Sequence, residues 1–160
     1  MKSKKVVVVG HGIDTDLFKS PPLRTGGMHL ITAGRISPVK DVRTLILGFL
    51  ELKKRFPEAT LSIVGEPITK PDRAEIEELR HISSDARFLG GVSHEELPRL
   101  FAEATVFVHA SRTGSMDKAV LEALAAGLPV FSSSEAFSGD VPGVRTFRQG
   151  DPKDLAESIE

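Results

Sequence analysis

Short apolar runs, each stopped by glycine or a small polar loop, recur along this chain. They constrain its fold more than any other feature. His29–Ala33 stops at Gly34, Thr60–Val64 at Gly65, and Arg87–Leu89 at Gly90 and Gly91. Thr105–His109 runs into a small polar loop, and Pro129–Ser132 into serines. Val6–Val9, stopped by Gly10, and Val144–Phe147 add two more. Helical periodicity fills the gaps. Val42, Leu45, Ile46, Phe49 and Phe56 keep helical spacing up to Pro57. Ala74–Ile82 reads as a charged, solvent-facing helix. Ser93–Glu96 reads as a capping box opening a helix with Leu97, Leu100 and Phe101 on one face. Ser111–Gly127 supplies another helix, and Asp151 and Pro152 start the last. Strands alternating with helices mean βαβ units. The expectation is a Rossmann-like three-layer α/β/α domain with a mostly parallel sheet. Such sheets bind ligands beyond the carboxyl ends of their strands. Chemistry is therefore sought in the loops after Ala33, Val64, Leu89 and His109.

Composition narrows the ligand. Formal net charge is −1, and the 21 Lys and Arg are scattered rather than striped, which argues against nucleic acid. Cysteine is absent, which removes disulfides and thiolate metal sites. No apolar run approaches the about 18 residues of a membrane span. A cytoplasmic protein is expected. No histidine-carboxylate cluster suggests a metal, and no Walker A, G-x-S-x-G or G-x-G-x-x-G motif is present.

Three stretches can carry chemistry. In "GRISPVK", Arg35 and Lys40 flank a Ser-Pro turn after a strand. They form either an anion clamp or a pair of solvated surface cations. In "SRTGSMDKAVLEALAAG", Gly114 lets the backbone approach a ligand, Ser115 is a candidate N-cap, and Asp117 and Lys118 occupy the first helical turn. A helix start favours an anion, yet a well-capped helix needs no ligand. Glu122 sits among apolar neighbours, so it is either on a narrow exposed face or kept for a partner such as a ribose diol. In "RFLGGVSHEEL", the turn at Gly90, Gly91 and Val92 exposes backbone groups able to read a nucleobase edge, or is a plain β-to-α connection. The histidines His11, His29, His81 and His94 are assigned structural or surface roles. His109 ends a strand at the functional edge, where it could line a pocket.

Four segments in order, "VVVVGHGIDTDLF", "AGRISPVKDVRTLILGFLELKKRFPEATLSIVGE", "RFLGGVSHEELPRLFAEATVFVHAS" and "VLEALAAGLPVFSS", resemble the C-terminal, nucleotide-sugar-binding domain of GT-B glycosyltransferases of family 4 (glycosyl transferases group 1). The resemblance runs from about Val6 to Glu160. It implies one half of a GT-B fold, with residues 28–160 as the donor-binding domain. Residues 1–27 would be the terminal strand of a missing N-terminal domain plus a linker, the latter centred on Lys19–Gly27. It implies retaining transfer of a sugar from a nucleoside-diphosphate sugar, with no metal and no other cofactor. Arg35 and Lys40 match the pair that holds the donor diphosphate, and Glu122 the carboxylate on the donor ribose; these three would carry catalysis. Backbone groups of Lys118 and Ala119 match amides near the phosphates, and Val92 matches the residue that reads the base.

Two departures stand out. The family's first motif glutamate falls at Gly114, and Asp117 is the expected substitute for its contact with the donor sugar. The chain is also expected to lack the acceptor-binding N-terminal domain that the resemblance implies, so the domain alone is expected to bind nucleotide without catalysing efficiently. Any membrane association would come through that missing domain. A non-catalytic nucleotide-binding module, and an epimerase or phosphorylase of the same fold, are the competing readings.

Overall fold

A computed structural model describes residues 12–19 and 26–160. The Val6–Val9 run, His11 and most of the Lys19–Gly27 linker lie outside the described residues. Among the described residues, six strands form one sheet: β1 (His29–Ala33), β2 (Thr60–Val64), β3 (Ala86–Gly90), β4 (Val106–His109), β5 (Val130–Ser132) and β6 (Val144–Thr146). Their order is β3-β2-β1-β4-β5-β6, and every neighbouring pair is parallel. This is the doubly wound order, whose direction reverses between β1 and β4.

Among the described residues, five α-helices cover the sheet: α1 (Val42–Lys53), α2 (Lys70–Ile82), α3 (Leu97–Glu103), α4 (Lys118–Ala125) and α5 (Pro152–Ile159). Strand alternation divides the core in two. Leu30, Leu61, Ile63, Val106, Val108 and Phe131 face α1, α2 and α5. Ile31, Phe107 and Val130 face α3 and α4 on the other side. The three-layer α/β/α arrangement follows. Phe18, which precedes β1, is fully buried on the second face, 5.8 Å from the Phe101 ring.

Three local readings need correction. The helix read as Ala74–Ile82 begins one turn earlier, because Thr69 and Asp72 form a reciprocal capping box and Pro71 sits in the first turn, where no N–H is needed. The box read at Ser93–Glu96 is half formed. Glu96 accepts from the Ser93 N–H at 2.9 Å, but α3 starts only at Leu97, so His94 lies in a turn. Ser115 is not an N-cap: α4 starts at Lys118 with Asp117 as its N-cap. Asp117 therefore precedes the first turn it was expected to occupy.

Candidate functional site

β1 and β4 diverge at the reversal of strand order, and the loops at their carboxyl ends open a cleft of about 420 Å³ there. Arg35, Lys40, Asp117, Lys118, Ala119 and Glu122 all line it. Residues up to 87 positions apart are thus brought to one opening.

Lys40 arrives from the loop after β1. That loop ends in a 3-10 turn, Pro38–Lys40, and then Asp41, whose φ of 39° places it in the left-handed region. Asp41 is fastened from two sides. Its carboxylate caps α1 by accepting from the Thr44 N–H at 3.4 Å, and also accepts from the Thr44 hydroxyl at 2.8 Å and from the Arg112 guanidinium at 2.9 and 3.2 Å. The Arg112 N–H also donates to the Val39 carbonyl at 2.8 Å. The loop after β1 is therefore sewn to the loop after β4, and Lys40 is held over the cleft. Arg35 is exposed at the rim, without an ion-pair partner among the described residues.

Asp117 is the hub on the opposite wall. Its carboxylate accepts from the Lys40 ammonium and, at 2.5 Å, from Nε2–H of His109. The His109 ring is buried, and its Nδ1 accepts from the Ser132 hydroxyl at 2.9 Å. His109 thus supports the site from below. The hydrogen bond from His109, joined by that from Lys40, holds the Asp117 carboxyl down at about 2, below its usual 3.8. Ser132, His109 and Asp117 share the connectivity of a hydrolase triad, but Ser132 is 0% exposed, so no substrate reaches its hydroxyl.

Because the Asp117 carboxylate is turned to Lys40 and His109, it makes no capping bond to α4. The first intrahelical N–H to find an acceptor is that of Val120, which donates to the Asp117 carbonyl. The N–H groups of Lys118 and Ala119 have no acceptor among the described residues, and both residues line the cleft. Glu122 follows in the second turn. Its side chain is 8% exposed and accepts from Nε2–H of His94 at 3.0 Å.

Three neighbouring serines brace this wall. Ser132 engages His109, as above. The Ser133 hydroxyl donates to the Ser111 carbonyl at 3.0 Å. The Ser134 hydroxyl lies 2.9 Å from the Thr113 carbonyl and 3.1 Å from that of Ser115. Gly114 and Ser115 accordingly sit in a braced loop at the rim rather than in the cleft lining. The carboxylate nearest the missing side chain at 114 is that of Glu135, with Oε2 3.8 Å from where a Cβ would be.

A second cleft of about 480 Å³ adjoins the first, sharing Ala33, Gly34, Arg35 and Leu97. Val92, Pro67 and Ile68 give it apolar walls. Gly90 does not line either cleft. It ends β3 with φ 73°, and its carbonyl accepts from the Gly65 N–H at 2.8 Å, so it closes the sheet edge. His94 and the serine run are the participants that the sequence placed elsewhere or left without a role; His109, expected at the functional edge, lies there but beneath the cleft. The pattern at His94 gave no sign that its turn folds back over α4.

Residues 27–160 match the family described as glycosyl transferases group 1. The chain belongs to the glycosyl transferases group 1 family. It is similar to the glycogen synthase of Mycobacterium tuberculosis, with 30% identity over 132 residues, 81% of this chain and 32% of that protein. The chain thus spans about a third of the length of such a curated relative. Its fold is similar to the C-terminal domain of a group 1 glycosyl transferase, LpcC, from Francisella tularensis. The TM-score is 0.78 at 20% identity, covering 92% of this chain and 86% of that one. It is also similar to Anabaena Alr3699/HepE, solved in complex with UDP, with a TM-score of 0.79 at 22% identity over 92% of this chain and 45% of that one. As a group 1 glycosyl transferase domain, the chain is one half of a GT-B fold. Among the described residues, no helix is long and apolar enough to cross a membrane.

Proposed function

We propose that this domain binds the donor of a retaining glycosyltransferase, a nucleoside-diphosphate sugar, through its diphosphate and ribose. One observation carries the reading. A cation, two uncapped helix-start N–H groups and a buried carboxylate line a single cleft at the reversal of strand order. Lys40 and Arg35 neutralise the diphosphate, while the Lys118 and Ala119 amides donate to its oxygens. Glu122 accepts from the ribose hydroxyls. The base lies in the adjoining apolar cleft, beside Val92.

Catalysis in this reading is stabilisation of a leaving group. The bond between the anomeric carbon and the diphosphate oxygen breaks, an acceptor hydroxyl forms the new bond, and its proton leaves with a base outside this domain. Negative charge grows on the diphosphate, where Lys40, Arg35 and the α4 start are already in place. These residues supply the positive field at that point, so no metal is assigned to the step. The acceptor and the proton-accepting group belong to the N-terminal half of the GT-B fold. The domain alone therefore binds nucleotide and transfers little sugar.

Thermal unfolding with UDP, GDP and ADP tests the reading. A nucleotide at 100 times its dissociation constant stabilises the fold by about 2.7 kcal/mol. Lys40→Ala and Arg35→Ala are expected to reduce that gain. No shift with any of the three at millimolar concentration would refute donor binding. Full shifts in both variants would move the diphosphate elsewhere.

A further inference from the structure

We infer that His94 is a positioning residue for ribose recognition: its imidazole fixes the plane of the Glu122 carboxylate, leaving that group's free oxygen to the ribose hydroxyls. The inference rests on the cleft being the nucleotide site proposed above.

A glutamate carboxylate rotates easily about its last bond, because that torsion has broad wells. Glu122 projects from a helix whose neighbouring side chains are apolar, and little within α4 orients it. Among the described residues, the bond from His94 at 3.0 Å is the one side-chain hydrogen bond to Glu122, and it engages Oε1. Oε2 has no partner. It is also not sealed in, since among the described residues the one buried side-chain polar atom without a hydrogen bond is Ser83 Oγ. An ionised carboxylate offers about four acceptor sites. His94 takes one and sets the plane in which the others lie.

His94 is itself fixed. Its ring stands edge-on to that of Phe18, with centroids 5.4 Å apart and planes at 67°. Phe18 is fully buried. The turn carrying His94 is closed by the 2.9 Å bond from the Ser93 N–H to Glu96. The same turn carries Val92, on the wall of the adjoining cleft. One short segment therefore reaches both the base side and the ribose side of the proposed ligand.

The test is calorimetric titration of the chain with UDP and GDP, and with their 2′,3′-dideoxy counterparts. Wild type is expected to prefer the ribose form. His94→Ala is expected to cut that preference about tenfold, the scale of one hydrogen bond to a charged group, while affinity for the dideoxy form changes less than twofold. His94→Gln places an amide nitrogen near the position of Nε2 and should restore most of the preference. Loss of fold in the turn would weaken both forms equally and would overturn the assignment, as would an unchanged preference in His94→Ala. If no nucleotide binds wild type, the nucleotide site itself is wrong. If nucleotide binds but the dideoxy form binds as well, the error lies at the ribose contact of Glu122. Either result removes the role of His94 as well.

Discussion

Asp117→Asn isolates the charge at the centre of the cleft. The carboxamide has nearly the shape of the carboxyl and stands in for its protonated form. Folding lowers the Asp117 carboxyl from its usual 3.8 to about 2, chiefly through the His109 hydrogen bond and then through Lys40. At 1.36 kcal/mol per pH unit, that difference contributes roughly 2 kcal/mol to stability. The side chain is 26% exposed, so solvent screens only part of it. The sign follows from the direction. A carboxyl with a depressed folded value favours the fold fully above its unfolded value, and loses that contribution as pH falls towards the folded one. Wild type should therefore exceed Asp117→Asn by roughly 2 kcal/mol at pH 7, or about 4 to 8 °C in Tm for a domain of this size. The gap should begin to close near pH 4 and be nearly gone at pH 2. Urea unfolding of both proteins at pH 7, 5, 4, 3 and 2.5 measures it. A gap that stays constant across the series would show that shape, not charge, is at work. No gap at pH 7 would show that the network with His109 and Lys40 contributes nothing.

Three further substitutions test the frame and the site. Gly65→Ala would put a Cβ 1.8 Å from the Gly34 carbonyl oxygen at a φ of 136°, so a loss of about 3 kcal/mol or more is expected in denaturant titration. At Gly48 the first added carbon already falls 2.6 Å from Leu155 and 3.1 Å from the Pro152 carbonyl; Gly48→Val should cost roughly 3 kcal/mol in the same assay by forcing α1 from α5. Glu122→Leu replaces a buried carboxylate on an apolar helix, and His94, half exposed, returns to water. It should raise the stability of the free domain by about 1 kcal/mol while abolishing nucleotide binding, as read by urea unfolding and calorimetry.

What the sequence reveals about this fold is what short-range chemistry decides. Thr60–Val64 carries only apolar and small hydroxyl side chains because β2 is covered on both sides, and it stops at Gly65 because only glycine tolerates the approach of Gly34 there. Arg35, Lys40 and Glu122, which line one cleft, stand out in the sequence as well, because each is a charge placed beside a strand end or within an apolar helix. Pairing was not legible. Lys40 and Asp117 are 77 residues apart, Asp41 and Arg112 71, and His94 and Glu122 28. Nothing in local spacing joins them; the reversal of strand order between β1 and β4 joins the first two pairs, and the shared face of α3 and α4 the third. The serines were passed over for the same reason. Three hydroxyls at the end of a strand show no role until β5 is set beside β4, where each finds a different partner at the end of β4 or in the loop after it.

The start of α4 shows how such a long-range contact changes what a local motif does. An aspartate just before a helix usually caps it, and a capped helix start has little left to offer an anion. Here His109, buried below, and Lys40, reaching across from the other loop, both draw the Asp117 carboxylate away from the helix. The N–H groups it would have satisfied stay open beside the cationic Lys40. The same displacement gives Lys40 a counter-ion in the free protein and keeps its ammonium at the cleft rather than in solvent. A diphosphate entering the cleft then meets oriented donors on one side and an already placed cation on the other. Replacing His109 would therefore act at a distance. With Lys40 alone left to hold it, the carboxylate can turn back and cap α4, and the helix start would lose part of its opening for phosphate even though no residue lining the cleft had changed.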